Sequence, residues 1–171
     1  LRRRTGCCGS WSVDVTDFAQ DILRLALRKN LKLATAESCT GGLIAAALTE
    51  LAGSSGAFER GFVTYSNAAK IEMLGVNPST LEQFGAVSPE VALEMVQGAL
   101  RRSAADVALS VTGIAGPGGS QFKPEGRVCF GIATRHTGHH TETIEFGALG
   151  RRQVRQAAVT HGLRALWQIL T

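Results

Sequence analysis

Ala36-Glu-Ser-Cys-Thr-Gly-Gly42 is the stretch on which the reading of this chain turns. An apolar run, Leu31-Lys-Leu-Ala-Thr-Ala36, leads into it, and Leu43–Leu51, with apolar residues at helical spacing, leads out. That order predicts a strand, a tight turn and a helix. A helix N-terminus presents free backbone N–H groups, and paired glycines let a ligand approach the backbone closely. Ser38 and Thr40 contribute hydroxyls and Cys39 a thiol, so the stretch reads as an anion cradle that carries nucleophiles.

The flanking chain supplies the remaining elements. Val15, Phe18, Ala19, Ile22, Leu25 and Ala26 form a helical stripe within Val15–Lys29, with Asp14 or Thr16 as cap. Leu31–Ala36 predicts a buried strand and Thr40–Leu51 the helix after it, with Thr40 as N-cap, which frees Ser38 for another role. Phe58–Tyr65 predicts a second strand. Ser66 caps a short helix that contains Lys70, and Asn77 caps another that ends near Phe84. Ser88-Pro89-Glu90 opens a helix over Pro89–Ser103, with proline at its first position. Asp106–Val111 is almost wholly apolar, as expected of a central strand covered on both faces. It runs into the Gly-rich loop Thr112–Ser120. Gly126–Arg135 and His140–Phe146 predict a hairpin turning at Thr137-Gly138, and Arg151–Ile169 a long final helix. The fold class is α/β: a three-layer α/β/α domain over residues 13–171 around a mixed, mainly parallel sheet, with a C-terminal β-hairpin and a long terminal helix. Leu1–Ser12 is set apart as an N-terminal segment expected to be disordered.

The chain has 171 residues, 44% hydrophobic and 19% charged, as in an ordinary soluble domain. Its net charge of +4 is uneven, with Arg2, Arg3 and Arg4 at one end and Arg151, Arg152 and Arg155 near the other. With 6% aromatic residues, the basic stripe interleaved with aromatics of a nucleic-acid reader is missing. An anionic small molecule is the expected partner, with neither nucleic acid nor membrane. Cys7, Cys8, Cys39 and Cys129 show no C-x-x-C spacing, and no apolar run has transmembrane length, which points to a reducing cytoplasm. His139 and His140 are adjacent in an expected strand and would face opposite sides, so no metal site is expected.

Sites in open α/β sheets lie beyond the carboxyl ends of the strands. Three segments would meet there: the Glu37–Gly42 turn, Tyr65–Lys70 and Thr112–Ser120. None is a nucleotide P-loop, a dinucleotide fingerprint or a G-x-S-x-G elbow. A hydroxyl nucleophile with a lysine remains. Serine needs a base to accept its proton, and lysine serves as one only when burial or a neighbouring cation lowers its pKa. Lys70 has apolar neighbours in Ala68, Ala69, Ile71 and Met73. Ser66, four residues before Lys70, forms an alternative pair with it, and Cys39 is a rival nucleophile.

In this order, Ala36–Gly42, Gly61-Phe-Val-Thr-Tyr-Ser-Asn67 with Lys70, Gly85-Ala-Val-Ser88 and Thr112-Gly-Ile-Ala-Gly-Pro-Gly-Gly119 resemble the CinA C-terminal-domain family, from about Leu31 to Trp167. The resemblance implies a nicotinamide mononucleotide deamidase that forms nicotinic acid mononucleotide and ammonia without metal or cofactor, in its stand-alone form. It implies Ser38 as nucleophile, Lys70 as its activating base and Tyr65 as a further catalytic group. Thr40, Gly41, Gly42, Thr112, Gly113, Arg151 and Arg155 are then the expected substrate-binding residues. Gly147-Ala-Leu-Gly150 departs from the family's more polar run, which leaves open which of Arg151, Arg152 and Arg155 meets phosphate. A symmetric homodimer is the expected assembly. A non-catalytic nucleotide-binding module using the same cradle is the competing reading.

Overall fold

A computed structural model describes residues 13–136 and 138–171. Leu1–Ser12, with its arginines and Cys7-Cys8, lies outside the described residues, as do Thr137 of the expected hairpin turn and the side chain of Asp14. The elements are α1 (Val13–Lys29), β1 (Leu33–Glu37), α2 (Leu43–Thr49), a 3-10 turn (Ser54–Gly56), β2 (Phe58–Val63), and α3 (Asn67–Ala69), which continues into a π-turn (Lys70–Leu74). Then follow α4 (Pro78–Phe84), α5 (Pro89–Arg101), β3 (Val107–Gly113), β4 (Arg127–Thr134), β5 (Gly138–Glu145) and α6 (Arg151–Leu170).

The five strands lie in the order β2-β1-β3-β4-β5. β1 pairs in parallel with β2 and β3, while β4 and β5 add an antiparallel hairpin. Parallel pairing is thus confined to one half of a mixed sheet. The chain leaves β1 for β2 on one side and later returns to β3 on the other. That reversal opens a crevice beyond the carboxyl ends of β1 and β3, where ligands bind in such sheets.

Side chains alternate along β1 and β3 with the two-residue period of a strand. Leu33, Val107, Leu109 and Val111 face the layer of α1, α2 and α6, where they meet buried Ile22, Ile44, Leu48, Leu163 and Leu166. Each such side chain, fully buried, contributes about 1.5–3 kcal/mol. The other face is built from small residues, Ala34, Ala36 and Ala108, under Val91, Met95, Val96 and Ala99 of α5. Small residues let α5 lie close to the sheet. A Cβ at Gly131 would fall 2.6 Å from the Ala92 carbonyl oxygen. The same closeness fixes the π-turn, since a Cβ at Gly98 would fall 2.1 Å from the Leu74 carbonyl oxygen.

The three expected caps on this face are present. Ser66 accepts from Ala69 N–H, Asn77 from Ser79 N–H and Ser88 from Val91 N–H. Thr40 is not a cap, and this corrects the expectation. Helix α2 begins three residues later than expected, at Leu43, and no side chain at its N-cap position, Gly42, bonds to it. Its free N–H groups are taken from outside the turn by Glu37.

Candidate active site

Strand β1 ends at Glu37, and the chain turns at once. Ser38 N–H donates to the Val111 carbonyl at 2.9 Å, which holds Ser38 against the end of β3. Gly41 and Gly42 take φ of +62° and +94°, the left-handed region that side chains with a Cβ resist. The Glu37 carboxylate, wholly buried, folds forward over the turn. It accepts from Gly42 N–H and Ile44 N–H at 3.1 Å and from Ala45 N–H at 2.8 Å. The anion cradle read from the sequence is therefore filled by the chain's own carboxylate. Its work is structural, because it satisfies the orphan donors of α2.

Lys70 opens the π-turn and is 1% exposed. Its Nζ donates to Ser38 Oγ at 3.1 Å and to the Thr64 carbonyl at 3.0 Å. Burial lowers its pKa from the ordinary 10.5 by penalising the ammonium. No carboxylate among its hydrogen-bond partners offsets that penalty. The alternative pairing through Ser66 is excluded by geometry, since the Ser66 hydroxyl caps α3. Cys39 is buried, and the thiol is pushed up from 9.0 to about 12 by loss of solvation, so it stays protonated at neutral pH.

The hydroxyl–amine pair forms the floor of a cavity of about 220 Å³, walled by Tyr65, Asn67, Ala86, Val87, Thr112 and Arg151, among others. Tyr65 is 59% exposed at the mouth. Its hydroxyl accepts from Arg151 Nη2 at 2.6 Å, and Arg151 Nη1 donates to the Gly116 carbonyl at 3.0 Å. Thr112 Oγ1 donates to the Ala86 carbonyl at 2.7 Å, tying the cavity wall to the end of β3. Gly113 lines the cavity beside Ser38, past the last β1–β3 pair, Glu37–Val111. A larger hollow of about 520 Å³ shares Ala86 and Val87 with this cavity. The Lys123 amine on its wall is committed to the carbonyls of Phe84 and Val87.

Ser38, Lys70, Tyr65, Thr112, Gly113 and Arg151 thus converge, as the sequence led one to expect. Thr40, Gly41, Gly42 and Arg155 do not line the cavity. Arg155 instead clamps the turn from behind, donating to the carbonyls of Cys39 at 3.1 Å and Thr40 at 2.9 Å. Arg152 is exposed and also stands off the cavity, so Arg151 is the arginine that reaches it. Asn67, Ala86 and Val87 were not singled out as site residues from the sequence. Asn67 stands three residues before Lys70 at the start of the same helical segment, which was its available signal.

A sequence model of the CinA C-terminal domain matches residues 15–170. The chain is 52% identical over 156 residues to "Nicotinamide-nucleotide amidohydrolase PncC" of Escherichia coli strain K12, covering 91% of this chain and 94% of that protein. It is 51% identical over 150 residues to a "CinA-like protein" of Chlorobium phaeobacteroides strain BS1, covering 85% of this chain but 36% of the relative. Four CinA-like or competence-damage relatives are matched over only 27% to 38% of their length, so this chain corresponds to about a third of such proteins. Among solved structures, competence/damage inducible protein CihA from Agrobacterium tumefaciens superposes with a TM-score of 0.92 at 46% identity, covering 96% of this chain and all of that one. With the fold, the ordered motifs and the match over residues 15–170 in agreement, this protein belongs to the CinA C-terminal domain family.

Proposed function

We propose that this chain hydrolyses the carboxamide of nicotinamide mononucleotide, releasing ammonia and nicotinic acid mononucleotide, with Ser38 as nucleophile and Lys70 as base. The observation that carries the reading is the buried Lys70 amine 3.1 Å from Ser38 Oγ. A relative 52% identical bears the name nicotinamide-nucleotide amidohydrolase, which supports the choice of substrate.

With its pKa lowered by burial, Lys70 has access to the neutral form and can take the Ser38 hydroxyl proton as Oγ bonds to the carboxamide carbon. The carbonyl π electrons move to oxygen, and backbone N–H groups at Gly113 and in the Cys39–Thr40 turn are the candidate donors to that oxyanion. One such donor is typically worth about 3 kcal/mol in the transition state. As the C–N bond breaks, Lys70 returns the proton to the departing nitrogen, and ammonia leaves an ester on Ser38. Water then attacks the ester carbon, Lys70 takes the water proton and passes it to Ser38 Oγ, and the carboxylic acid is released. Tyr65, joined to Arg151, closes the mouth on the ring side, and Arg151 offers its guanidinium to the nucleotide phosphate.

The experiment is ammonia release from nicotinamide mononucleotide by the parent and by Ser38→Ala, both checked for folding, with a metal chelator present. Turnover in the parent and none in Ser38→Ala is expected. A folded parent that binds the nucleotide but releases no ammonia would overturn the reading in favour of a binding module. Loss of activity in Cys39→Ala with Ser38→Ala still active would overturn the assignment of the nucleophile.

A further inference from the structure

We infer that Glu125 is a positioning residue for the site, setting the placement of Arg151 and, through it, of Tyr65. The inference rests on the proposed amidohydrolase reading for its kinetic consequence and on geometry alone for its placement. The Glu125 carboxylate joins two segments, the Gly-rich loop and the start of α6, through their backbone N–H groups. One oxygen accepts from Gly118 N–H at 2.6 Å in the Gly-rich loop, and the other accepts from Gly150 N–H at 3.0 Å, at the start of α6. The next residue, Arg151, donates to the Gly116 carbonyl at 3.0 Å and to the Tyr65 hydroxyl at 2.6 Å. Loop, carboxylate, helix start and guanidinium form a closed circuit, and the phenol hangs from its guanidinium.

Two further facts give the carboxylate its role. It lies flat against Gly116, where a Cβ would approach its carboxyl carbon to 2.4 Å, so the loop backbone is moulded to it. Gly150 takes φ of +88° and brings no side-chain cap to α6, which leaves Glu125 as the acidic group at that helix start. A negative charge there is favoured by the helix dipole, and it holds the first turn that carries Arg151. Glu125 lies outside the cavity wall, and its carboxylate bonds to Gly118 and Gly150 rather than to Ser38, Lys70 or Tyr65. It therefore acts through Arg151.

The test uses the only tyrosine of the chain as a reporter. With ring-labelled tyrosine, the parent, Glu125→Gln and Arg151→Met are compared by NMR, and each is assayed for ammonia release from nicotinamide mononucleotide. An amide at position 125 keeps one acceptor oxygen and sets an N–H₂ against the other donor. The expected result is a Tyr65 signal moved toward its position in Arg151→Met, with KM raised about tenfold, the size of one lost charge-assisted hydrogen bond, and kcat within about twofold. The two substitutions combined should raise KM no further than Arg151→Met alone. An unmoved Tyr65 signal overturns the inference, and so does a fall in kcat at unchanged KM. If the parent releases no ammonia, the proposed function fails while the Tyr65 signal still decides the placement of Arg151. If Glu125→Gln does not fold, amide exchange in the parent decides: slow exchange at both Gly118 and Gly150 supports the bridge, and fast exchange at either overturns it.

Discussion

Replacing Glu37 by Gln removes one charge and no volume, and the structure allows the cost to be worked out. One carboxylate oxygen takes Ala45 N–H at 2.8 Å, and the other takes Gly42 and Ile44 N–H at 3.1 Å, in a site from which solvent is excluded. The amide of glutamine has one acceptor, so its favoured orientation keeps the oxygen on Gly42 and Ile44 and sets N–H₂ against Ala45 N–H. One buried donor is then unmet, at about 1–3 kcal/mol, and the two retained bonds fall from charged to neutral strength, at about 1 kcal/mol each. The sum, about 3–5 kcal/mol, is a large share of the 5–15 kcal/mol that typically separates a folded domain from its unfolded chain. Urea unfolding at neutral pH should show the midpoint falling at unchanged slope, and Tm should fall by about 6–20 °C. A loss below about 1 kcal/mol would refute the reasoning, because it would mean that water or another group reaches the α2 donors.

On the proposed mechanism, Lys70→Met should lower turnover at least about a thousandfold, as for loss of the base from a nucleophile–base pair, measured as ammonia release. In the parent, kcat/KM should rise with pH as Lys70 loses its proton at a pKa lowered by burial. The unfolded chain holds the Lys70 proton up to about 10.5 whereas the folded chain gives it up earlier, so stability should rise with pH between the lowered value and 10.5. That component of the slope in pH-dependent unfolding should be missing in Lys70→Met. Cys39, with its thiol pushed up to about 12, should resist iodoacetamide in the native protein at pH 8 and react on unfolding; rapid native labelling would contradict this. Arg155→Ala strips two donors from the Cys39 and Thr40 carbonyls and should cost about 2–4 kcal/mol by urea unfolding, with little change in KM, since Arg155 is absent from the cavity wall.

The parts of the site that were legible in the sequence are those whose signals are local. Ser66, Asn77 and Ser88 each cap a helix that starts within three residues, and the spacing that announced them is the spacing at which they bond. Ser38 and Lys70 were legible as chemistry through the ordered motifs. That their segments meet beyond the strand ends was expected as well, but the burial of Lys70 was not legible, because it depends on contacts with Ser38 and with the end of β2 that the sequence around Lys70 does not show. Thr40 was misread since the cap of α2 comes from Glu37, which reaches forward over five to eight residues and matches no capping pattern. Arg155 looked like a ligand for phosphate because a sequence shows its charge but not the carbonyls that occupy it, 116 and 115 residues away. Glu125 gave no signal for the same reason, as its two partners belong to segments on either side of a hairpin.

The π-turn at Lys70–Leu74 makes the site more sensitive to chain length than to composition. A π-turn holds one residue more than the α-helical turn it interrupts, and each residue of an α-helix advances the side chains by about 100°. Deleting a single residue between Ile71 and Leu74 would let the segment relax into a regular helix. Either Lys70 would then swing about a quarter-turn away from Ser38, or Leu74 would leave its seat under Gly98. Conservative replacements at exposed Ile71 and Met73 should pass almost unnoticed, whereas a frame-preserving loss of one codon there would cost Lys70 its position beside Ser38. For this segment the count of residues, more than their identity, is what inheritance has to protect.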